Sequence, residues 1–388
     1  MHLMQAVNDS KMYLPFREYH ILNILEGFEQ QTLPLDAFIS NYFRAHKALG
    51  SKDRGAIAEA LYAITRWKGL LDFLTGSSAT WKTRFDLFSS PSFHLSKERQ
   101  DIPTHIRVSF PKELFDQFVL SHGLEKACEL CSICNAPAPT TVRVNAFKKD
   151  REELLSRWKL HYAVRPTAFA PHGIIFDRKI NFFELPEFKQ GLFEVQDEGS
   201  QLLAKLVEAK PGELVMDYCA GAGGKALAIA PSMQNKGQLF LHDIRKHALL
   251  DARKRLRRAG IQNAQIIFDD EAKLKKLKRR MDWVLVDAPC SGTGTLRRNP
   301  DMKWKYSNEL LERLVGQQRT IFERALSFLK PNGYIVYATC SLLKQENADQ
   351  IEHFIKTYDL IQIGSAFESL PSPNGMDGFF GAVLKRKA

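Results

Sequence analysis

The stretch LVMDYCAGAGGKALAIA, Leu214 to Ala230, decides how the second half of the chain is read. A short apolar run ends in Asp217, a loop with Gly221, Gly223 and Gly224 follows, and Lys225 opens an apolar helix. Strand-loop-helix passages of this kind hold nucleotide-like ligands, because glycine lets the backbone approach closely and a helix amino terminus favours negative groups. Gly221, Gly223 and Ala226 satisfy the G-x-G-x-x-A dinucleotide pattern, and Asp243 lies 20 residues beyond Gly223. In that pattern, however, the first glycine follows the strand closely, whereas here Asp217, Tyr218, Cys219 and Ala220 intervene. An acidic residue ending the strand suits a ligand with a positive amino group, as in S-adenosylmethionine, better than a pyrophosphate. Asp243, ending the next strand, is placed to accept hydrogen bonds from ribose hydroxyls in either case.

Working outward, short apolar runs recur at Leu214–Met216, Gln238–Leu241, Gln265–Phe268, Trp283–Val286 and Tyr334–Tyr337, separated by helical stretches. This alternation predicts an α/β, Rossmann-like domain over residues 194–388 with five parallel strands. Ligands of such sheets bind outside the carboxyl ends of the strands. The residues found there are Asp217, Asp243, Asp270, Asp287 with Cys290, and Cys340. Two thiols thus face one crevice, and a cysteine there is nucleophilic when positive charge or a helix amino terminus stabilises its thiolate.

Upstream, Ile21, Leu22, Ile24 and Leu25, then Ile57, Leu61 and Ile64, have helical spacing and predict a helical domain over residues 1–134. Within it an irregular connection is expected from Thr75 to Pro111, followed by one helix from Lys112 to Cys134. Cys128, Cys131 and Cys134 lie along one face of that helix and read as small apolar residues rather than metal ligands, so no metal is expected. Residues 135–193 combine the strand-like TTVRVNAF and GIIF with a charged helix near Asp150 to Leu160, a small α+β segment.

The 388 residues are 44% hydrophobic and 26% charged, which excludes wholesale disorder. No apolar run reaches the roughly 18 residues of a spanning helix, and the opening MHLMQAVNDSKMY has no secretory core, so a soluble, cytoplasmic protein with free thiols is expected. The net charge is +11, and the segment from Arg245 to Arg280 holds thirteen basic residues against four acidic ones. Nucleic acid is the first candidate partner. Along this segment Arg253, Lys254, Arg257 and Arg258 read as a solvated helix face, with Leu249, Leu250 and Leu256 turned inward.

VMDYCAGAGGK, VLVDAPCSGTGTLRRNPDMKW and VYATCSLLKQENADQ resemble the signature blocks of the Fmu/Sun (RsmB-like, NOP2/Sun) RNA 5-methylcytosine methyltransferases. The likeness extends through TTVRVNAF, FEVQDEGSQLLA and DGFFGAVLKRK, and more weakly to LGSKDRGAIAEALYAITR in the helical part. Where the family usually reads CAAPGGK, this chain reads Cys219-Ala-Gly-Ala-Gly-Gly-Lys225, without the proline. The resemblance implies S-adenosylmethionine held by Asp217, Cys219, Ala220, Gly221, Ala222, Gly223, Gly224, Lys225, Asp243, Asp270 and Asp287, with Asp270 or its neighbour Asp269 on the adenine. It implies Cys340 as the thiolate that attacks carbon 6 of cytosine, Asp287 as a hydrogen-bonding support near nitrogen 3, and Cys290 as the group assisting loss of the carbon 5 proton. It also implies an RNA partner, with ribosomal RNA favoured and transfer RNA as the alternative; a monomer without a membrane partner is expected.

Arg297, Arg298, Lys303 and Lys305 are expected on RNA phosphates, and Trp304 either stacks on a base or packs beneath the loop. Arg143 and Asn145 match an RNA-facing block by resemblance. Rival readings are methyl transfer to an exocyclic amine, a non-catalytic RNA-binding assembly factor, and a dehydrogenase. The first favours Asn-Pro-Pro-aromatic where this chain has Asp287-Ala-Pro-Cys290.

Overall fold

The computed structural model describes residues 14–76, 79–178, 180–268 and 270–387, so Asp269 lies outside the described residues. Backbone contacts divide the chain into two compact units. One contains the residues up to Pro137 together with Leu296–Ser307, and the other contains Ala138–Thr295 together with the chain from Asn308 onward.

The first unit is helical. Phe16–Glu29, Leu35–Ala45 and Ser51–Thr75 are helices because their apolar residues recur every three to four positions. Leu22, Ile24, Leu25, Ile57, Leu61 and Ile64 are all buried in one core. The stretch expected to be irregular contains three further short helices, Trp81–Phe88, Pro91–Ser96 and Thr104–Arg107. Local capping accounts for two of them: the Thr80 hydroxyl accepts from the Thr83 amide, and Pro91 occupies a first turn where no N–H is required. The single helix expected from Lys112 is two, Lys112–His122 and Leu124–Cys134, broken at Gly123 with φ +78°. Cys131 and Cys134 are buried in the second of these, and Cys128 is half-buried.

The expected domain over 194–388 is interrupted. The chain leaves the second unit after Thr295, folds as part of the helical unit through Ser307, and re-enters at Asn308.

In the second unit, β1 (Thr140–Val144), β2 (Val164–Pro166), β3 (Gly173–Phe176) and β4 (Phe193–Val195) form an antiparallel sheet in the order β2-β3-β1-β4. The helix Arg151–Lys159, capped by Asp150, contributes Leu154, Leu155 and Trp158 to the core beneath it. A seven-stranded sheet follows, made of β5 (Leu214–Asp217), β6 (Gln238–His242), β7 (Ala264–Ile267), β8 (Met281–Asp287), β9 (Leu329–Thr339), β10 (Leu360–Ser369) and β11 (Phe379–Arg386). Its order is β10-β11-β9-β8-β5-β6-β7. The strands β5 to β9 are parallel as expected.

The hairpin of β10 and β11 was not anticipated. β11 runs antiparallel to β9 and β10 antiparallel to β11, so β10 points the same way as the five parallel strands. Of β10 only Leu360 and Ser369 are buried, so its sequence lacks the alternation that marks a half-buried strand. Helices cover both faces: Leu203, Leu227, Leu249 and Leu256 pack on one, Phe322, Leu326, Ile351 and Phe354 on the other. This is a Rossmann-like α/β fold. Leu250, expected inside, is 40% exposed, since one turn of the helix Lys246–Ala259 has room for Leu249 and Ala252 but not for it. Among the described residues no helix is long and apolar enough to cross a membrane.

Candidate active site

The strand order reverses beside β5, whose Asp217 pairs with Leu241 on one side and Leu285 on the other. The glycine loop leaves β5 at this point. Its Ala220 amide donates to His242 O, the Gly223 amide donates to Ala220 O, and Arg255 donates to Ala222 O. Gly223 caps the helix Gly224–Met233 with φ +77°, a conformation that glycine adopts without strain. The loop is therefore pinned at both ends, with Gly221 (φ +52°) at its turn.

Asp243 holds the loop from β6. Its carboxylate accepts from the Gly221 amide at 2.8 Å, from the Arg245 amide at 2.8 Å and from the Arg245 guanidinium at 3.0 Å. Burial opposes its charge, but these hydrogen bonds outweigh it and hold the carboxyl below its ordinary range. Asp217 is the opposite case. It is 1% exposed, neither carboxylate oxygen has a well-formed hydrogen bond among the described residues, and burial together with the charge of Asp287 pushes it up to about 7. Cys219 is raised by burial and by the charge of Asp217, which makes it unreactive. Asp270 is spent locally: it caps the helix Glu271–Leu277, accepts from the Lys273 amide at 3.1 Å and pairs with the Lys273 ammonium.

Lys225 does not lie apart from the chemistry. Its ammonium is 2.5 Å from Asp287, and although burial lowers it, the charge and hydrogen bond of Asp287 hold it above its usual value. β8 and β9 pair in parallel with Asp287 beside Ala338, so the turns that follow them bring Cys290 and Cys340 together with their sulfurs 3.4 Å apart. Both cysteines are half-buried. The two turns are clamped at Gly294, whose amide donates to Cys340 O and whose carbonyl accepts from the Gly378 amide. A Cβ there would sit 2.2 Å from Gly378 O, so no other residue fits. The hydrogen bond to Cys340, burial and the charge of Cys340 raise the Cys290 thiol well above its ordinary value.

Of the residues expected on RNA phosphates, Arg297 and Lys303 are buried and so placed differently, whereas Arg298 is half-buried and Lys305 exposed. Lys303 is 1% exposed inside the helical unit, donating to Arg66 O and to Asn135 Oδ1, both at 2.7 Å. Arg297 is equally buried, and its carbonyl accepts from Arg66. Lys305 pairs with Asp301 and donates to Leu33 O. Trp304 packs rather than stacks on a base, donating its indole N–H to Thr65 O and lying against Gly69. Arg143 and Asn145 are buried as well, the first donating to Gln196 and the second to Gly191 O and Ala259 O. On the helix Lys246–Ala259, Arg253, Lys254 and Arg257 are exposed as expected, whereas Arg258 pairs with the buried Glu194, as Arg255 does. The residues overlooked in the sequence are Ser291, Ser341, Gln318 and Glu346, a buried polar group behind the thiols. They come from three separate segments: Ser291 after β8, Gln318 on the helix Asn308–Leu326, and Ser341 with Glu346 after β9.

Residues 204–385 match the family described as 16S rRNA methyltransferase RsmB/F, and residues 110–182 match the ferredoxin-like domain of RsmF/B-like methyltransferases. The ribosomal RNA small subunit methyltransferase B of Vibrio vulnificus is 35% identical over 66% of this chain and 61% of its own length. The probable ribosomal RNA small subunit methyltransferase B of Bacillus subtilis is 29% identical over 86% of this chain and 78% of its own. Among solved structures, a methyltransferase homolog protein from Pyrococcus horikoshii superposes with a TM-score of 0.64 at 26% identity, covering 77% of this chain and all of that one. With the carboxyl-terminal part and a preceding segment both matching models of one family, the chain belongs to the RsmB/F (Fmu/Sun) family of RNA methyltransferases.

Proposed function

We propose that the protein methylates carbon 5 of a cytosine in small-subunit ribosomal RNA through a covalent adduct on Cys340. The observation that carries this reading is the pair of half-buried cysteines just beyond the ends of adjacent parallel strands, their sulfurs 3.4 Å apart, together with the Lys225–Asp287 ion pair. Carbon 5 of cytosine is too weak a nucleophile to accept a methyl group unaided, and thiolate addition at carbon 6 supplies the missing electron density. A cytosine stacked in a helix cannot present carbon 6 to a thiol, so the base must be splayed out of its stack.

The site suits S-adenosylmethionine, which when bound supplies an electrophilic methyl group. The buried carboxylate of Asp217, without a well-formed hydrogen bond among the described residues, is a place for its ammonium, Asp243 for its ribose hydroxyls, and the loop from Ala220 to Gly224 for close backbone approach. Asp287, oriented by Lys225, hydrogen-bonds the cytosine near nitrogen 3. Cys340 adds to carbon 6, and carbon 5, made electron-rich by that bond, takes the methyl group that bound S-adenosylmethionine would supply, with S-adenosylhomocysteine as the leaving group. With its sulfur in a thioether, Cys340 no longer acts on Cys290 by hydrogen bond or charge, and Cys290 passes its proton to solvent against the remaining influence of burial and Glu346 before it serves as base. It then takes the carbon 5 proton, the carbon 6–sulfur bond breaks, and Cys340 leaves as a thiolate.

The test is to incubate the purified protein with methyl-labelled S-adenosylmethionine and RNA, then digest to nucleosides. Label in 5-methylcytidine from small-subunit ribosomal RNA is expected. Label in another nucleoside overturns the reaction, and label confined to transfer RNA overturns the substrate.

Asp243→Ala is expected to weaken cofactor binding at least tenfold by calorimetry, on the order of 1.4 kcal/mol for a charge-assisted contact. Unchanged affinity would remove Asp243 from the cofactor site.

A further inference from the structure

Behind the two thiols lies a polar cluster that cofactor and base do not need to touch. Glu346, at the end of the short helical turn Lys344–Glu346, is fully buried. Its Oε1 accepts from the Ser291 amide and from the Gln318 side-chain amide, each at 2.9 Å, and its Oε2 accepts from the Ser291 hydroxyl at 2.5 Å. These partners are neutral. A carboxylate excluded from water keeps a charge only where hydrogen bonds replace its solvation, and here they are aligned in series. Arg319 donates to Gln350, Gln350 to Gln318, and Gln318 to Glu346, so the positive end of the chain faces away from the thiols.

The cluster also joins the two cysteine turns. The Ser291 hydroxyl lies 3.3 Å from those of Thr293 and Ser341, and Thr293 is 3.2 Å from Ser341. Ser291 follows Cys290 directly and Ser341 follows Cys340, yet only the Cys290 turn is bonded to the carboxylate. The cation of the site is on the other side: the field of Lys225, paired with Asp287, reaches Cys340. The arrangement is polar, with an anion behind one thiol and a cation beside the other.

We propose that Glu346 is a positioning residue that assigns the two cysteines their different roles: its buried charge behind the Cys290 turn keeps Cys290 a neutral thiol and leaves Cys340 as the thiolate. A negative charge disfavours a second one nearby, and a positive charge favours it. The other groups facing the pair act in lesser ways. Tyr337, whose hydroxyl donates to Glu346 O, stays protonated in its buried setting, and the backbone N–H of Gly292 favours a Cys290 thiolate but is outweighed. The charge of Glu346 is among the influences that raise Cys290, together with Cys340 itself. The inference rests on the reading of Cys340 as nucleophile only for its purpose, not for its test.

That test is iodoacetamide labelling of the full chain without RNA or cofactor, read separately at Cys290 and Cys340 by peptide mass spectrometry. In the wild type Cys340 should be labelled first. Glu346→Gln keeps the size and an oxygen acceptor while removing the charge, so at pH 7 it should raise the labelling rate of Cys290 several-fold by raising its thiolate fraction. The Cys340 rate should change far less. An unchanged ratio of the two rates overturns the inference.

A second measurement needs no variant at this position. In the wild type, the rate at Cys290 should still be climbing at a pH where that at Cys340 has levelled, and coincident profiles overturn the inference equally. Ser291→Ala, which loses one hydrogen bond but not the charge, should keep the wild-type order, and reversal would mean that packing rather than charge sets it. A failure of the catalytic reading would instead appear with RNA present, as an adduct formed by Cys340→Ala.

Discussion

Cys340→Ala should yield neither methylated RNA nor a covalent complex, whereas Cys290→Ala should leave methylated RNA attached to the protein. The two sulfurs are 3.4 Å apart, so geometry alone makes them near equivalents. The difference lies in the steps they serve. Without Cys340 carbon 5 is never activated, and the loss should be at least about a thousandfold, the scale on which removal of an activated nucleophile is felt. Without Cys290, addition and methylation proceed but the carbon 5 proton has no positioned acceptor, which slows release by roughly 10²–10⁴-fold. The adduct should survive denaturing electrophoresis as a slow band, require S-adenosylmethionine, and vanish in the double mutant. If Cys340→Ala traps RNA and Cys290→Ala does not, the roles are reversed.

Lys303→Ala should destabilise the helical unit by about 3 kcal/mol, because it leaves a cavity and removes the donor from Asn135 Oδ1 and Arg66 O. The same lysine makes stability depend on pH in an unusual direction. Burial lowers it to about 7, opposed by Cys131 and Cys134 and reinforced by Arg66, while its ammonium lies 4.3 Å from the centre of the Phe110 ring and 4.9 Å from that of Trp304. In the unfolded chain it titrates near its ordinary value of about 10.4. Below pH ~7 both states hold the proton, and the cost of burying the charge is fully present. Between the two values the unfolded chain binds a proton that the folded one has released, so stability rises with pH, by up to about 1.4 kcal/mol per unit. The neutral amine still donates both hydrogen bonds, so nothing is lost in exchange. Urea unfolding of the full chain between pH 7 and 9.5, followed by hydrogen exchange in the helix Leu124–Cys134, should show this rise. Lys303→Met should lack it, and a parallel rise in that variant would assign the effect to another group.

The placement of Lys303 corrects an expectation drawn from its neighbourhood in sequence. Four basic residues after the Asp287–Cys290 block read naturally as phosphate ligands, since position along the chain was the only proximity available. The segment Leu296–Ser307 in fact folds with the helices that precede it by more than 150 residues, and its charges are satisfied there by carbonyls, Asn135 and Asp301. Arg143 and Asn145 were misplaced for the same reason: a polar residue in a motif looks exposed until its partners, here Gln196 and the carbonyls of Gly191 and Ala259, are known.

What the sequence determined by itself is local. The five parallel strands, the glycine loop after Asp217, and the placing of Asp243, Asp287, Cys290 and Cys340 at strand ends all follow from apolar runs a few residues long and from what the chain does directly after them. The parallel sheet then converts equal positions at strand ends into neighbours in space, which is why two cysteines 50 residues apart could be read as a pair. Tertiary structure decided the rest. The edge strand β10 carries too few buried residues to leave a pattern, and its place in the sheet comes from pairing with β11. The interruption at Leu296, the partner of Lys225, and the Glu346 cluster each depend on side chains from distant segments being packed together and closed off from water. Hydrogen bonding to a buried charge has a length of about 3 Å and no sequence period, so only the folded chain could decide which residues would meet there.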